Sequence, residues 1–263
     1  MSKLLEVKSL TVAYDGGRKA IHNINLDIKQ NEVIAIVGES GCGKSTLIKS
    51  IFHLLPSNAN VEAGAILFNG EDLLTLNQKQ WRHLRGNEIT MIFQNPGSYM
   101  NPIMKIGKQF VESIRTHRNV SKAEAIKKAK AALVKMELPD TDRILNSYPF
   151  QLSGGMKQRV AISMALCMEP QLILADEPTS ALDVVTQIQI MDEFLALKEE
   201  VQSSIIWITH NIGTAAYMAD RIVVMHKGEI VEFDEKDHII SRPQKEYTRK
   251  LLDAIPELKG SLP

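Results

Sequence analysis

Residues 32–55 constrain the fold of this sequence more tightly than any other part. Residues 32–37 are a short apolar run rich in β-branched side chains, the pattern of a buried strand. Then come Gly38-Glu39-Ser40-Gly41-Cys42-Gly43-Lys44-Ser45, and residues 45–55 read as a helix. The eight residues match G-x-x-x-x-G-K-[ST], placed between strand and helix as that pattern requires. Glycines let the backbone turn so that successive N–H groups point at one anion, and a helix N-terminus adds its positive end. We therefore read Gly38, Ser40, Gly41, Cys42 and Gly43 as a phosphate cradle. Lys44 would reach the β- and γ-phosphates, Ser45 would ligate Mg²⁺, and Thr46 would offer a hydroxyl to the α-phosphate. The expected ligands are a nucleoside triphosphate and Mg²⁺. Cys42 reads as a small loop residue whose alkylation would block the nucleotide.

A strand feeding such a loop belongs to a mostly parallel α/β sheet, and the rest of the chain supplies one. Residues 172–175, 204–209 and 221–225 read as strands, with helices at 184–201 and 213–219. Further strands are expected at 61–70 and 89–93. Residues 4–27 alternate apolar and polar around Asp15-Gly16-Gly17, which predicts antiparallel strands. The middle, 105–137, is helical in pattern, and Ser121 and Glu124 offer a capping box before 122–136. Its lysine and arginine excess reads as a solvated face. The last strands, 226–233, turn at Lys227-Gly228. From 242 onward one short helix and a loose end are expected.

Composition narrows the function classes. Lysine plus arginine equals aspartate plus glutamate at 31 each, which argues against bulk nucleic-acid binding. The two cysteines, Cys42 and Cys167, have no metal-ligand spacing and make no disulfide scaffold, which fits a reducing compartment. Residues 1–14 lack the apolar segment of a signal peptide. No stretch reaches the roughly 18 apolar residues of a membrane span, so a membrane role would come through a partner.

The run Leu172-Ile173-Leu174-Ala175 delivers Asp176 and Glu177 at a strand's C-terminal end, the edge where open α/β sheets bind ligands. Asp176 would hold Mg²⁺, directly or through water. Glu177, one residue further out, would polarise the attacking water as general base.

About 20 residues before this strand stands Gln151-Leu152-Ser153-Gly154-Gly155-Met156. Ser153-Gly154-Gly155 resembles the signature motif of ABC ATPases, and the serine and glycines at a helix start make an anion-binding N-terminus. Further positions agree with the family in order and spacing. Tyr14 resembles its adenine-stacking aromatic residue, and Gln94 its Q-loop glutamine, which senses Mg²⁺ and water. Ser180-Ala181-Leu182-Asp183 resembles the D-loop, and His210 the switch histidine at the γ-phosphate. The resemblance covers about residues 6–252. It is strongest to the dipeptide/oligopeptide and nickel importer subunits, through Met91-Ile92-Phe93-Gln94-Asn95-Pro96, Asn101-Pro102, Tyr148-Pro149, Thr179-Ser180 and Tyr247-Thr248-Arg249. Met156 replaces a common glutamine, as in many peptide-type subunits. Asn95 and Asn211 stand where aspartates are usual, and the longer cysteine-bearing tail of some dipeptide-type subunits is not expected.

The resemblance implies an α/β P-loop NTPase core of the ABC ATPase type, with an N-terminal antiparallel β-subdomain and an inserted α-helical subdomain. Residues 1–263 would form one nucleotide-binding domain, with the insertion near 96–165. It also implies a head-to-tail dimer with a second, non-identical ATP-binding subunit. Each ATP would lie between the P-loop of one subunit and Ser153-Gly154-Gly155 of the other, with Asp183 close by. The insertion would contact integral membrane permease subunits, and an extracytoplasmic substrate-binding protein would act indirectly. The chain would sit peripherally on the cytoplasmic face of the membrane and energise import of peptides, or alternatively of nickel or another metal complex. A non-transport ABC ATPase of repair or translation is the rival class; its long insertions or paired cassettes are not seen. A small kinase or GTPase would lack the signature.

Overall fold

The computed structural model describes residues 3–180 and 182–254 of the 263-residue chain. The chain divides into two compact units, Met1–Leu76 with Ser204–Pro263, and Asn77–Ser203.

The first unit opens with β1 (Lys3–Tyr14) and β2 (Arg18–Lys29), paired antiparallel with Tyr14 opposite Arg18. Their register shifts between Val7 and Leu10. Side chains repair the broken ladder there: Asn25 Oδ1 accepts from Ser9 N at 3.0 Å, and Thr11 Oγ1 accepts from Asn23 N at 3.1 Å. After β3 (Val33–Val37), buried throughout, come α1 (Lys44–Ile51), β4 (Ala59–Phe68) and the two-residue β5 (Glu71–Asp72). The antiparallel sheet has the order β2-β1-β4-β5.

The second unit starts with α2 (Gln78–Leu84), then β6 (Ile89–Ile92), α3 (Ile106–His117), α4 (Lys122–Lys135), α5 (Thr141–Asn146) and α6 (Gly154–Leu166). It ends with β7 (Leu172–Asp176), parallel to β6, and α7 (Val184–Val201). Ile106, Phe110 and Ile114 of α3 meet Ala125, Ala129 and Leu133 of α4, Ile144 of α5 and Val160 of α6 in one apolar core. The helical stretch predicted at 105–137 is therefore two helices. Ser121 restarts the chain by accepting from Glu124 N while Glu124 accepts from Ser121 N. The short α2 and α5 carry too few apolar positions to show a period, and the sequence reading missed both. Each begins at a side-chain cap, Asn77 and Asp140.

Back in the first unit, β8 (Ser204–Thr209), α8 (Ile212–Met218), β9 (Arg221–His226), β10 (Glu229–Glu235), α9 (Lys236–Ser241) and α10 (Glu246–Asp253) follow. Four strands of this unit run β10-β9-β3-β8, with β3 parallel to both neighbours and β10 antiparallel to β9. Arg221 fixes the start of this sheet: Nε and Nη2 donate to the two carboxylate oxygens of Glu32 at 2.6 and 2.9 Å. The hairpin expected at Lys227-Gly228 joins β9 to β10. The expected short terminal helix is α10, α9 was not foreseen, and the predicted loose end lies outside the described residues. Among the described residues no helix is long and apolar enough to cross a membrane.

Candidate nucleotide site

In the first unit, Val37 at the end of β3 is in register with Thr209 of β8 and Val224 of β9. Residues 38–45 and the exposed His210 therefore leave the sheet at one edge, the C-terminal edge of its parallel strands. Two glycines are required by close backbone approach. A Cβ on Gly38 would lie 2.2 Å from the Met225 carbonyl oxygen. One on Gly43, at φ +108°, would lie 2.6 Å from Ile21 Cγ2 and 2.8 Å from the Ala20 carbonyl oxygen. Gly43 also begins α1 and brings no side-chain cap, so the first-turn amides suit an external anion.

Lys44 is buried, and its ammonium donates to the carbonyls of Gly38 at 2.7 Å and Glu39 at 2.9 Å, with Cys42 Sγ 3.8 Å away. Ser45 is exposed and Thr46 half-buried at the head of α1. An ammonium, helix-start amides and hydroxyls fit a triphosphate, and the Ser45 oxygen is the hard donor that Mg²⁺ prefers. Tyr14 ends β1 half-buried, and its carbonyl accepts from Gly17 N at 3.1 Å.

In the second unit, Asp176 ends β7 and Glu177 follows it, both half-buried. Glu177 has φ +47°, a left-handed conformation that costs a non-glycine residue about 1–3 kcal/mol and clusters at functional positions. Gln94 lies two residues past β6. Its Nε2 donates to Glu177 Oε2 and to Ser180 Oγ, each at 3.2 Å. Ser180 Oγ in turn donates to the Glu177 carbonyl at 3.1 Å. These bonds tie the expected base to the expected sensing glutamine.

Ser153 caps α6 by accepting from Met156 N at 3.3 Å. Asp183 caps α7, accepting from Thr186 N at 3.0 Å and from Thr186 Oγ1 at 2.8 Å. Those bonds hold its carboxyl below the usual carboxylate range. A Cβ on Gly155 would stand 3.5 Å from Thr186 Cγ2, so these two helix starts adjoin. Gly154 is different: a Cβ there meets nothing within 4 Å. Ala181 lies outside the described residues. Asn95 and Asn211 cap local turns, accepting from Gly97 N at 3.1 Å and Gly213 N at 2.8 Å, so an amide serves where a carboxylate is usual.

Ser180 as an acceptor for Gln94 was not foreseen from the sequence; its signal was membership of the 179–183 segment. Tyr247 was noted only as part of a matching stretch. Its hydroxyl accepts from Glu39 N at 3.3 Å, inside the phosphate loop.

Residues 21–180 match the ABC transporter family. The chain is 44% identical over 264 residues to the dipeptide transport ATP-binding protein DppD of Lactococcus lactis subsp. cremoris (strain MG1363), covering 99% of this chain and 76% of that one. It is 43% identical over 265 residues to the oligopeptide transport ATP-binding protein OppD of Bacillus subtilis (strain 168), covering 99% and 74%. Among solved structures it resembles the dimeric post-hydrolysis state of the ATP-binding cassette MJ0796 bound to ADP and Pi. The TM-score is 0.78, with 31% identity over 88% of this chain and 98% of that one. It also resembles cbiO1 of Clostridium perfringens, part of the ABC transporter complex cbiONQ, with TM-score 0.79, 28% identity and 97% coverage of both chains. Motif order, strand arrangement and identity over nearly the whole length agree, and the chain belongs to the ABC transporter family.

Proposed function

We propose that the chain is the ATP-hydrolysing subunit of an importer whose cargo is peptides. The observation that carries the chemistry is the bond from Gln94 to Glu177, the residue next to Asp176 at the end of β7. Lys44 and the amides opening α1 bind the phosphates, and Tyr14 stacks on the base. Ser45 and Asp176, with Gln94, would hold Mg²⁺, which would supply charge neutralisation on the phosphates. Glu177 takes the proton of the attacking water, Gln94 orients that carboxylate and the water, and His210 donates to the γ-phosphate.

Peptide cargo is supported by the names of the dipeptide and oligopeptide relatives. On this reading residues 1–263 are one nucleotide-binding domain with a helical insertion at 96–165. It works on the cytoplasmic face with membrane permease subunits and a second, non-identical cassette in a head-to-tail dimer. Ser153-Gly154-Gly155 and Asp183 then serve the partner cassette's ATP. The test has two arms. Titration calorimetry should show Lys44→Ala losing Mg-ATP affinity while the fold survives; unchanged affinity would overturn the site. Uptake of labelled dipeptides by vesicles carrying the assembled transporter should stop in the same variant; ATP-independent uptake would overturn the energising role, and none in the wild type would overturn the cargo.

A further inference from the structure

We propose that Tyr247, on the terminal helix α10, is a positioning residue for the phosphate loop; the inference rests on the ATP-binding reading of Lys44. The loop is braced on three sides within the first unit. The Gly38 end presses on the Met225 carbonyl, and the Gly43 end on Ala20 and Ile21. The β9–β10 turn closes the middle, with Gly228 N donating to the Cys42 carbonyl at 3.0 Å. That leaves the outer limb at Glu39, whose side chain is exposed and packs against no core.

Tyr247 supplies what that limb lacks. Its hydroxyl accepts from Glu39 N at 3.3 Å, and its ring lies on His226 with centroids 4.0 Å apart. The two peptide units flanking Glu39 matter for Lys44: the Gly38 carbonyl, in the same peptide as Glu39 N, accepts from Lys44 Nζ at 2.7 Å, and the Glu39 carbonyl accepts from Lys44 Nζ at 2.9 Å and from Cys42 N at 3.3 Å. One residue thus has its N–H held by α10 while its C=O holds the phosphate-binding lysine. Tyr247 is itself held firmly. The Glu232 carboxylate of β10 accepts from Gln244 N at 2.7 Å, from Lys245 N at 3.2 Å and from the hydroxyl of the fully buried Thr248. A carboxylate at a helix start is favourable to both. The terminal helix therefore reaches 208 residues back along the chain and fixes the lysine's resting place before nucleotide arrives. A loop already in shape gives up less freedom on binding.

Tyr247→Phe keeps the ring on His226 and removes the hydroxyl alone. Losing one such bond should weaken Mg-ATP affinity of the full chain by roughly two- to tenfold. The melting temperature should fall by no more than the ~2–4 °C expected of one lost hydrogen bond in a chain of this size, and kcat at saturating ATP should stay at the wild-type value, so the change falls on KM. Lys44→Ala is measured beside it. Wild-type affinity in Tyr247→Phe with affinity lost in Lys44→Ala overturns the positioning role alone. Wild-type affinity in Lys44→Ala overturns the nucleotide reading and this inference with it. A fall in affinity accompanied by a larger drop in melting temperature than one hydrogen bond explains, or by a lower kcat, makes Tyr247 a packing residue and overturns the proposal.

Discussion

Gly154→Ala should separate a glycine needed for function from glycines needed for folding. Gly154 is the first residue of α6, and a Cβ there meets no atom within 4 Å. Alanine at an unstrained glycine position removes freedom from the unfolded chain, worth about 0.4–1 kcal/mol of added stability. Gly43→Ala is the opposite case. Left-handed backbone costs a residue with a Cβ about 1–2 kcal/mol. A methyl placed 2.6 Å from Ile21 Cγ2 and 2.8 Å from the Ala20 oxygen adds about 1–3 kcal/mol of overpacking. The sum, roughly 2–5 kcal/mol, is a large part of the ~5–15 kcal/mol of a typical domain. Urea unfolding reads both: the midpoint should rise in Gly154→Ala and fall in Gly43→Ala. Turnover should move the other way from stability in Gly154→Ala. If the α6 amides receive a phosphate of the partner cassette's ATP, the added methyl occupies that approach. Losing a charge-assisted bond of about 1.5–3 kcal/mol lowers phosphate release by the assembled transporter about 10- to 150-fold. Wild-type turnover in Gly154→Ala would refute the need for close approach at this helix start. A lowered urea midpoint would refute the open geometry on which the estimate stands.

Glu177→Gln keeps the side-chain length and an acceptor oxygen but cannot take a proton; phosphate release should fall about 10²–10⁴-fold with Mg-ATP binding intact. The ATP-bound dimer should then accumulate on gel filtration with the partner cassette, whereas wild-type turnover would remove Glu177 from the role of base. Asp176→Asn should additionally weaken Mg²⁺ retention, read by the Mg²⁺ dependence of ATP binding; an unchanged dependence would place the metal elsewhere. Glu193 of α7 lies 2.6 Å from the Arg159 guanidinium, and its carboxyl is pushed up from 4.5 to about 7 by burial, with Arg159 opposing and Glu137 adding to the rise. The folded state therefore holds a proton that the unfolded chain has released, so this stabilising contribution is full below about pH 4.5 and is lost as pH rises through about 7. Glu193→Gln should flatten the fall of melting temperature across that window, and an unaltered slope would clear Glu193 of it.

The strands that hold the site were legible because burial writes itself into local sequence. The five residues of β3 are all buried, and the apolar run ahead of Gly38 has nothing else to be. The same holds for Leu172 to Ala175 before the two carboxylates. Short helices were less legible for a physical reason. The seven residues of α2 bury Trp81 and Leu84 alone, which is too little for a 3.6-residue period, and the capping pair Asn77 and Gln80 is the stronger mark. The break between α3 and α4 was visible in the capping pair Ser121 and Glu124.

Contacts between distant residues follow a different logic. Gln94 reaches Glu177 across 83 positions and Ser180 across 86, so no local pattern carries them. What the sequence can hold is the residue type each partner must have. Ser180 is small and has a hydroxyl, which lets it accept from Gln94 and donate to the Glu177 carbonyl at once; alanine would remove one of the bonds that each group makes. Its donation bears on the backbone of Glu177, which stays left-handed at φ +47° only while the surroundings hold it there. The turn Ser180 N to Glu177 O, at 3.3 Å, adds a second restraint on the same carbonyl. Glu177 is therefore held by two bonds from Ser180 to its carbonyl and one from Gln94 to its carboxylate. Asn95, the next residue after Gln94, accepts from Gly97 N and begins the turn into the segment ahead of α3.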